Sequence, residues 1–292
     1  MKLLRLIKQI IFLLKPLKNS FLNQKQGCIG LKKISFNSNL SLCILGNGPS
    51  LKKDKLTLKQ HDDKTDFCCV NHFAEDDIYV VLRPKYYFFA DEYFFIDDVH
   101  PKWVEKREKT FKKINDETTW KMQIFIPCTA DILVLQKFIT NKFISINKLN
   151  LQSVNHNSKN ILGKYLFNTG RFGPMFHNVI PYCMYVFMFA NYKNIYLYGA
   201  DMSFHKDIEV DQKTNELLFT SKHFNEPDTK EVLRKNPYLV EKWSMSEILY
   251  SSYLVFKSHE TIKDYADLKG INIINSSSHS LIDAYKRENS EE

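Results

Sequence analysis

Leu42-Cys43-Ile44-Leu45-Gly46-Asn47-Gly48-Pro49-Ser50-Leu51 is the stretch that decides the fold of this chain. Four apolar residues in a row read as a buried strand, and the strand breaks at once into a glycine-rich turn. Glycine at Gly46 and Gly48 removes the Cβ that would keep backbone N–H groups from an anion. Pro49 and Ser50 can open a helix whose N-terminus favours negative charge. The expected ligand therefore bears phosphate. No Gly-Lys-Ser/Thr follows, so the turn is not a Walker loop, and Leu51 stands where a dinucleotide fingerprint would need its third glycine. The competing reading is an ordinary Asn-Gly-Pro turn after a strand.

Further short apolar runs at 66–71, 86–90, 123–127, 194–199 and 271–275 join 42–46 as expected strands. Continuous rather than alternating runs are the pattern of parallel strands covered on both faces. Between them the pattern predicts helices at 101–114, 130–139, 174–191 and 244–267, the third starting near Pro174 and apolar almost all round. Such alternation implies an α/β fold with a Rossmann-like open, mostly parallel sheet. The polar, charged segment 203–243 interrupts the rhythm and is expected to form a small lid subdomain.

Residues 1–33 hold eight basic residues and no acidic one, which accounts for the whole formal charge of +8 and leaves the rest of the chain neutral. A basic face through the folded body, as nucleic-acid binding requires, is therefore not expected. On a wheel of ~100° per residue, Leu3, Leu4, Ile7, Ile10, Ile11 and Leu14 share one face and Lys2, Arg5, Lys8 and Gln9 the other, with Phe12 the exception. Residues 1–18 thus read as an interfacial amphipathic helix, too charged to span a bilayer, followed by a linker over 19–40 and the folded domain over 41–292. A helix packed on its own domain, an oligomer contact and a secretory signal are the alternatives; Lys8 interrupts the apolar core that a signal needs. Cys28, Cys43, Cys68, Cys69, Cys128 and Cys183 include no Cys-x-x-Cys pair and read as buried thiols of a reducing compartment. Placement in the cytoplasm, on the inner face of a membrane, is the consistent expectation.

Several local stretches in sequence order resemble the bacterial sialyltransferases of glycosyltransferase family 42 and their broader relatives in lipopolysaccharide, capsule and flagellin glycosylation. They are Ile44 to Leu51, Val70-Asn71-His72-Phe73, Asn168-Thr169-Gly170, Ile195 to Asp201 and Asn275 to Tyr285. The resemblance implies a GT-A-like variant of the Rossmann sheet, no metal and no cofactor, with a nucleotide sugar as substrate. It also implies a Gly199-x-Asp201 motif that shapes the donor site and a histidine base in the lid. Two departures are visible: Asp91 stands where the sialyltransferases have a donor-contacting asparagine, and Met202, Ser203, Phe204 and His205 follow Asp201 where they have phosphate-binding tyrosines. Ser203, Lys206, Lys222 and Arg171 are the donors available instead.

On this reading Gly46, Asn47, Gly48, Pro49 and Ser50 cradle the donor, and Asn47 can both donate to phosphate and accept from sugar hydroxyls. Asn71 and Asp91 follow successive strands at the edge where such sheets place ligands, although a strand-ending turn also explains Asn71. Asn168, Thr169 and Gly170 precede the apolar helix and can face a ligand at its N-terminus, or Thr169 can simply cap it. Ser277, Ser278 and His279 follow the last strand and are expected to hold nucleotide. His223 is the expected base, in Lys222-His223-Phe224, with His205 as the second candidate and a lone surface histidine as the alternative for either. The adjacent pairs Asp62-Asp63, Asp76-Asp77 and Asp97-Asp98 chelate poorly on a strand, where neighbours point to opposite faces, so no metal site is expected.

The expected function is an inverting, metal-independent glycosyltransferase that moves a sugar, a nonulosonate such as sialic acid or a related keto-sugar acid, from a CMP-activated donor to a cell-surface glycan or glycolipid acceptor. The expected partners are therefore the donor, the acceptor, the inner-membrane surface and possible further copies of the chain, without nucleic acid. A pterin-type pyrophosphokinase using ATP and magnesium, known among the broader relatives, is one rival; a non-catalytic, membrane-peripheral nucleotide-binding protein is the other.

Overall fold

The computed structural model describes residues 2–36, 38, 40–155, 161–221, 228–235 and 238–288. Helix α1 (Lys2–Lys25) precedes strand β1 (Ser41–Leu45), and α2 (Leu51–Leu58) leads to β2 (Thr65–Val70). A short α3 (Ile78–Leu82), β3 (Tyr86–Phe88), α4 (Pro101–Glu117), β4 (Met122–Pro127), α5 (Ile132–Gln136) and β5 (Ile144–Leu149) continue the alternation. Two-residue strands β6 (Gln152–Ser153) and β7 (Phe172–Gly173) flank α6 (Ile161–Asn168), and α7 (Val179–Phe187) feeds β8 (Asn194–Tyr198). Strands β9 (Ile208–Val210), β10 (Leu217–Ser221) and β11 (Thr229–Val232) form a separate antiparallel sheet, before α8 (Met245–Lys269), β12 (Asn272–Asn275) and β13 (Lys286–Arg287).

The main sheet has eight parallel strands in the order β13-β12-β8-β1-β2-β3-β4-β5. Strand period two divides the core: Leu42, Ile44, Cys68, Val70, Tyr86 and Phe88 face α7 and α8, while Cys43, Leu45, Cys69, Tyr87 and Phe89 pack on the other side with Leu51, Phe111 and Leu135. The continuous apolar runs of the sequence are therefore strands buried on both faces. β5 was not expected, because Ile144-Ser145-Ile146 alternates as a half-covered strand near a sheet edge does. The segment 203–243 carries the small sheet β9 to β11, which Lys102 of α4 reaches through its ion pair with Glu231 at 2.6 Å.

The amino terminus departs from expectation. α1 runs past residue 18 to Lys25, and the segment after it is packed rather than a free linker: Ile29 N donates to Lys148 O at 2.7 Å, extending the edge beyond β5, and Leu31 is fully buried. Ser20 of α1 is buried, and its carbonyl accepts from Asn150 Nδ2 at 2.7 Å. Cys28 and Cys128 are joined in a disulfide, Cα atoms 5.9 Å apart, and this corrects the reading of six free thiols. Nothing local in the sequence shows the pairing, because the two cysteines lie 100 residues apart. Closing that loop is worth roughly 4.7 kcal/mol on chain-entropy grounds. Cys43, Cys68, Cys69 and Cys183 are buried thiols as expected, but with one disulfide present the cysteines no longer argue for a reducing compartment. Among the described residues, no helix is long and apolar enough to cross a membrane.

His259 of α8 is fully buried, its Nδ1 on Tyr285 Oη at 3.0 Å, and burial pushes its pKa down from 6.5 to about 3. Below 6.5 the unfolded chain takes up a proton that the folded protein refuses, so stability falls as the pH is lowered toward 3. The expected slope from this residue is roughly 1.4 kcal/mol per pH unit. Urea denaturation at a series of pH values checks it: His259→Asn should flatten the slope by that amount, and an unchanged slope would contradict the assignment.

Candidate functional site

β1 is the point where the sheet changes direction, since the chain builds outward to β5 on one side and returns through β8 to β13 on the other. Ligands of open α/β sheets bind at such a switch point, outside the carboxyl ends of the strands. Here the ends of β1 and β8 are locked together. Gly46 N donates to Tyr198 O at 2.8 Å and Gly48 N to Gly199 O at 2.9 Å. A Cβ on Gly48 would come within 2.6 Å of the Asp201 carboxylate carbon and 2.7 Å of Gly199 O, so only glycine permits this approach.

The anion at the start of α2 belongs to the protein itself. Asp201, almost wholly buried, accepts from Ser50 N at 3.2 Å and from Ser50 Oγ at 2.7 Å. Burial raises its pKa, and these two bonds oppose the rise. The loop after β12 adds a second clasp: Ala200 N donates to Ser277 Oγ at 3.1 Å, Ser280 Oγ to Ala200 O at 2.6 Å, and Ser278 N to Asp54 at 3.1 Å. Gly46, Gly48, Pro49, Ser50, Gly199, Asp201, Ser277 and Ser278 thus form a framework. The N–H groups of Gly46, Gly48 and Ser50, expected to cradle phosphate, are bonded within the protein instead, and Ser277, expected to hold nucleotide, has no exposed surface. His279 is exposed beside this clasp, close enough to Asp201 for its charge to act on the carboxylate.

The accessible space lies further along the strand ends. A cavity of about 360 Å³ is lined by Asp91 after β3, Pro127 of β4, Ser153 of β6 and the start of α7, where His177, Asn178 and Tyr182 face it. Asp91 is reachable by solvent yet sunk among protein atoms; this desolvation raises its pKa, and the bond from Asn71 Nδ2 at 2.8 Å draws it back. Asn71 sits at φ +50°, a left-handed conformation that asparagine tolerates. Its carbonyl accepts from Tyr87 Oη at 2.6 Å. Asn47 Nδ2 donates to Val70 O at 3.1 Å. Both asparagines therefore spend their amide nitrogens on the protein, which fixes the flip and leaves Asn47 Oδ1 and Asn71 Oδ1 buried without partners among the described residues. Of Asn47, Asn71 and Asp91, the carboxylate of Asp91 is the acceptor that lines the cavity, and the two asparagine oxygens are buried behind it.

The N-terminal end of α7 forms the other wall of the cavity. Asn178 caps this helix, accepting from Ile180 N at 2.9 Å, Pro181 has no N–H, and Val179, the first residue of the helix, lines the cavity. Burial lowers the pKa of His177, keeping the imidazole neutral at pH 7, and raises that of Tyr182, keeping the phenol a donor. The sequence pattern missed this wall because Pro174 pointed to an earlier helix start. The available signal was Asn178 before Val-Ile-Pro, an N-cap ahead of an early proline.

Asn168, Thr169 and Gly170 are corrected too. They close α6 rather than open α7: Thr169 Oγ1 donates to Leu166 O at 2.6 Å, Asn168 Oδ1 accepts from Tyr265 Oη at 3.0 Å, and Gly170 packs on Leu31 and Lys32. His205 lies in the 3-10 turn Phe204–Asp207, edge-on to Phe256 of α8, with its Nδ1 buried and without a partner among the described residues. His223 and Lys222 lie outside the described residues. Among the described residues no three His, Cys, Asp or Glu side chains converge as metal ligands.

No protein-family model matches this chain, and no curated protein matches it. Among solved structures the chain is similar to the MAf glycosyltransferase from Magnetospirillum magneticum AMB-1, with a TM-score of 0.50 and 12% identity over 89% of this chain and 35% of that one. It thus spans about a third of that protein's length. The monofunctional alpha-2,3-sialyltransferase Cst-I from Campylobacter jejuni gives a TM-score of 0.41 with 18% identity over 87% of this chain and 81% of that one. An alpha-2,3-sialyltransferase from Campylobacter jejuni in apo form gives 0.42 with 18% identity over 87% and 80%. Of these, the first speaks for the fold, and for the fold alone.

Proposed function

We propose that this protein is an inverting, metal-independent glycosyltransferase that moves a nonulosonate or related keto-sugar acid from a CMP-activated donor to a cell-surface glycan. The observation that supports it most is one cavity at the strand ends that combines the N-terminal end of α7 with the Asp91 carboxylate, which Asn71 Nδ2 holds in place. The first suits a phosphate and the second suits the hydroxyls of a nucleoside or sugar. The likeness in fold to a glycosyltransferase agrees with it.

In this mechanism the donor's phosphate lies at the α7 end, with Val179 N–H, the Tyr182 hydroxyl and the His177 imidazole as its donors. His223, on the segment between β10 and β11, removes the proton of an acceptor hydroxyl. The resulting oxygen bonds to the anomeric carbon from the face opposite the nucleotide. The bond from that carbon to the phosphate oxygen breaks, and the charge of the departing CMP stays on the α7 end. α1 would hold the enzyme on the inner membrane face, beside a lipid-linked acceptor.

A thermal-shift panel of CMP, UDP, GDP and ATP, each with and without magnesium, tests this reading. CMP alone, at 100 times its Kd, should stabilise the protein by about 2.7 kcal/mol. Stabilisation by ATP that requires magnesium would replace the transferase with the pyrophosphokinase. Asn178→Ala should weaken CMP binding, since the cap that shapes the α7 end is lost.

A further inference from the structure

A second pocket, of about 190 Å³, lies on another part of the surface, between α1, the segment that follows it and the end of α6. Its wall carries Lys32, Lys33 and Arg171 and no carboxylate. Arg171 donates to Gln24 Oε1 at 3.0 Å, a neutral partner. Outside the pocket a further cation, Lys269, lies near enough to Lys32 for that charge to lower its pKa, after burial. Positive groups held together without an anion attract one. The floor of the pocket adds a different requirement. Asn150 is 1% exposed and spends its amide nitrogen on Ser20 O, so its Oδ1 is a buried acceptor with no partner among the described residues. A phosphodiester by itself does not satisfy that atom, because it has no hydrogen to donate, whereas a hydroxyl carried beside it does.

The pocket adjoins an apolar face. Leu14, Leu17 and Phe21 of α1 fall within about 60° of arc at ~100° per residue, and all are exposed. Lys18 and Lys25 project near the same stripe, as flanking cations do when apolar residues enter a lipid surface. We propose that this pocket binds the headgroup of an anionic phospholipid that carries free hydroxyls, of the phosphatidylglycerol type. The phosphate lies among Lys32, Lys33 and Arg171, a glycerol hydroxyl donates to Asn150 Oδ1, and the acyl chains run along the Leu14, Leu17 and Phe21 stripe. This deepens the membrane-surface reading of α1 and rests on it.

Sedimentation of the full chain with three kinds of vesicle tests the site: phosphatidylcholine alone, and phosphatidylcholine with equal fractions of either phosphatidylglycerol or phosphatidylserine. The last two match in charge and differ in headgroup hydroxyls. Binding should be at least several-fold tighter to phosphatidylglycerol than to phosphatidylserine, and negligible to phosphatidylcholine. Arg171→Gln should lower phosphatidylglycerol binding about fivefold and reduce the preference, whereas Lys18→Gln, an equal loss of charge on α1, should weaken both anionic vesicles alike. Asn150→Leu should erase the preference while binding to phosphatidylserine persists. Equal binding to the two anionic vesicles by the wild-type chain would overturn the pocket and leave the membrane reading standing. Absence of binding to all vesicles would overturn both, and saturable binding of glycerol 3-phosphate with no vesicle binding would assign the pocket to a soluble phosphate instead.

Discussion

Gly48→Val is expected to destroy the folded state rather than to block a ligand. The new Cβ would overlap the Asp201 carboxylate and press on Gly199 O, and neither group is free to withdraw. Asp201 is held by two bonds from Ser50, and Gly199 O already accepts from Gly48 N. Moving either one leaves buried polar groups unpaired on top of the steric cost. Gly48→Ala should therefore cost about 3 kcal/mol, and the valine variant more than about 4 kcal/mol. Gly30→Ala is the control, since its Cβ would meet nothing nearer than 3.6 Å and its φ of −71° suits alanine. Urea denaturation of the three variants measures this. A valine variant as stable as the wild type that merely fails to bind nucleotide would return the turn to the ligand.

The same turn shows how far the sequence can be read. Strand, glycine turn and helix over 42–58 are local events, and local pattern finds them. What occupies the helix end is not local: Asp201 is 151 residues from Ser50, and no spacing shows that the protein supplies its own anion there. The Ser277 and Ser278 hydroxyls and amides look like ligand groups for the same reason; their partners Ala200 and Asp54 are distant in the chain. That Asn71 and Asp91 lie together was legible, because they follow successive parallel strands and topology alone puts such residues on one edge. The opposite wall of the cavity was hidden by one proline. Pro174 precedes the helix by five residues, and the cap that starts it is Asn178.

Turnover and donor affinity should separate between two histidines, and this split is the sharpest test of the proposed mechanism. His177 lines the cavity at the end of α7, where the donor's phosphate is proposed to sit. His177→Ala should therefore weaken donor binding, raising the donor KM several-fold, with a smaller effect on kcat. His223, assigned from its motif as the acceptor's base, should behave in the opposite way. A positioned general base contributes at least ~10² to rate, so His223→Ala should lower kcat by that factor and leave donor affinity nearly unchanged. His205→Ala must be measured beside them, because His205 lies four residues after Asp201 and is the other histidine of the segment 203–243. Loss of turnover in His205→Ala alone would move the base from the β10 to β11 segment to the 3-10 turn. A hundredfold fall in kcat for His177→Ala with donor affinity intact would place the base in the cavity wall, and the phosphate would then need donors other than that imidazole.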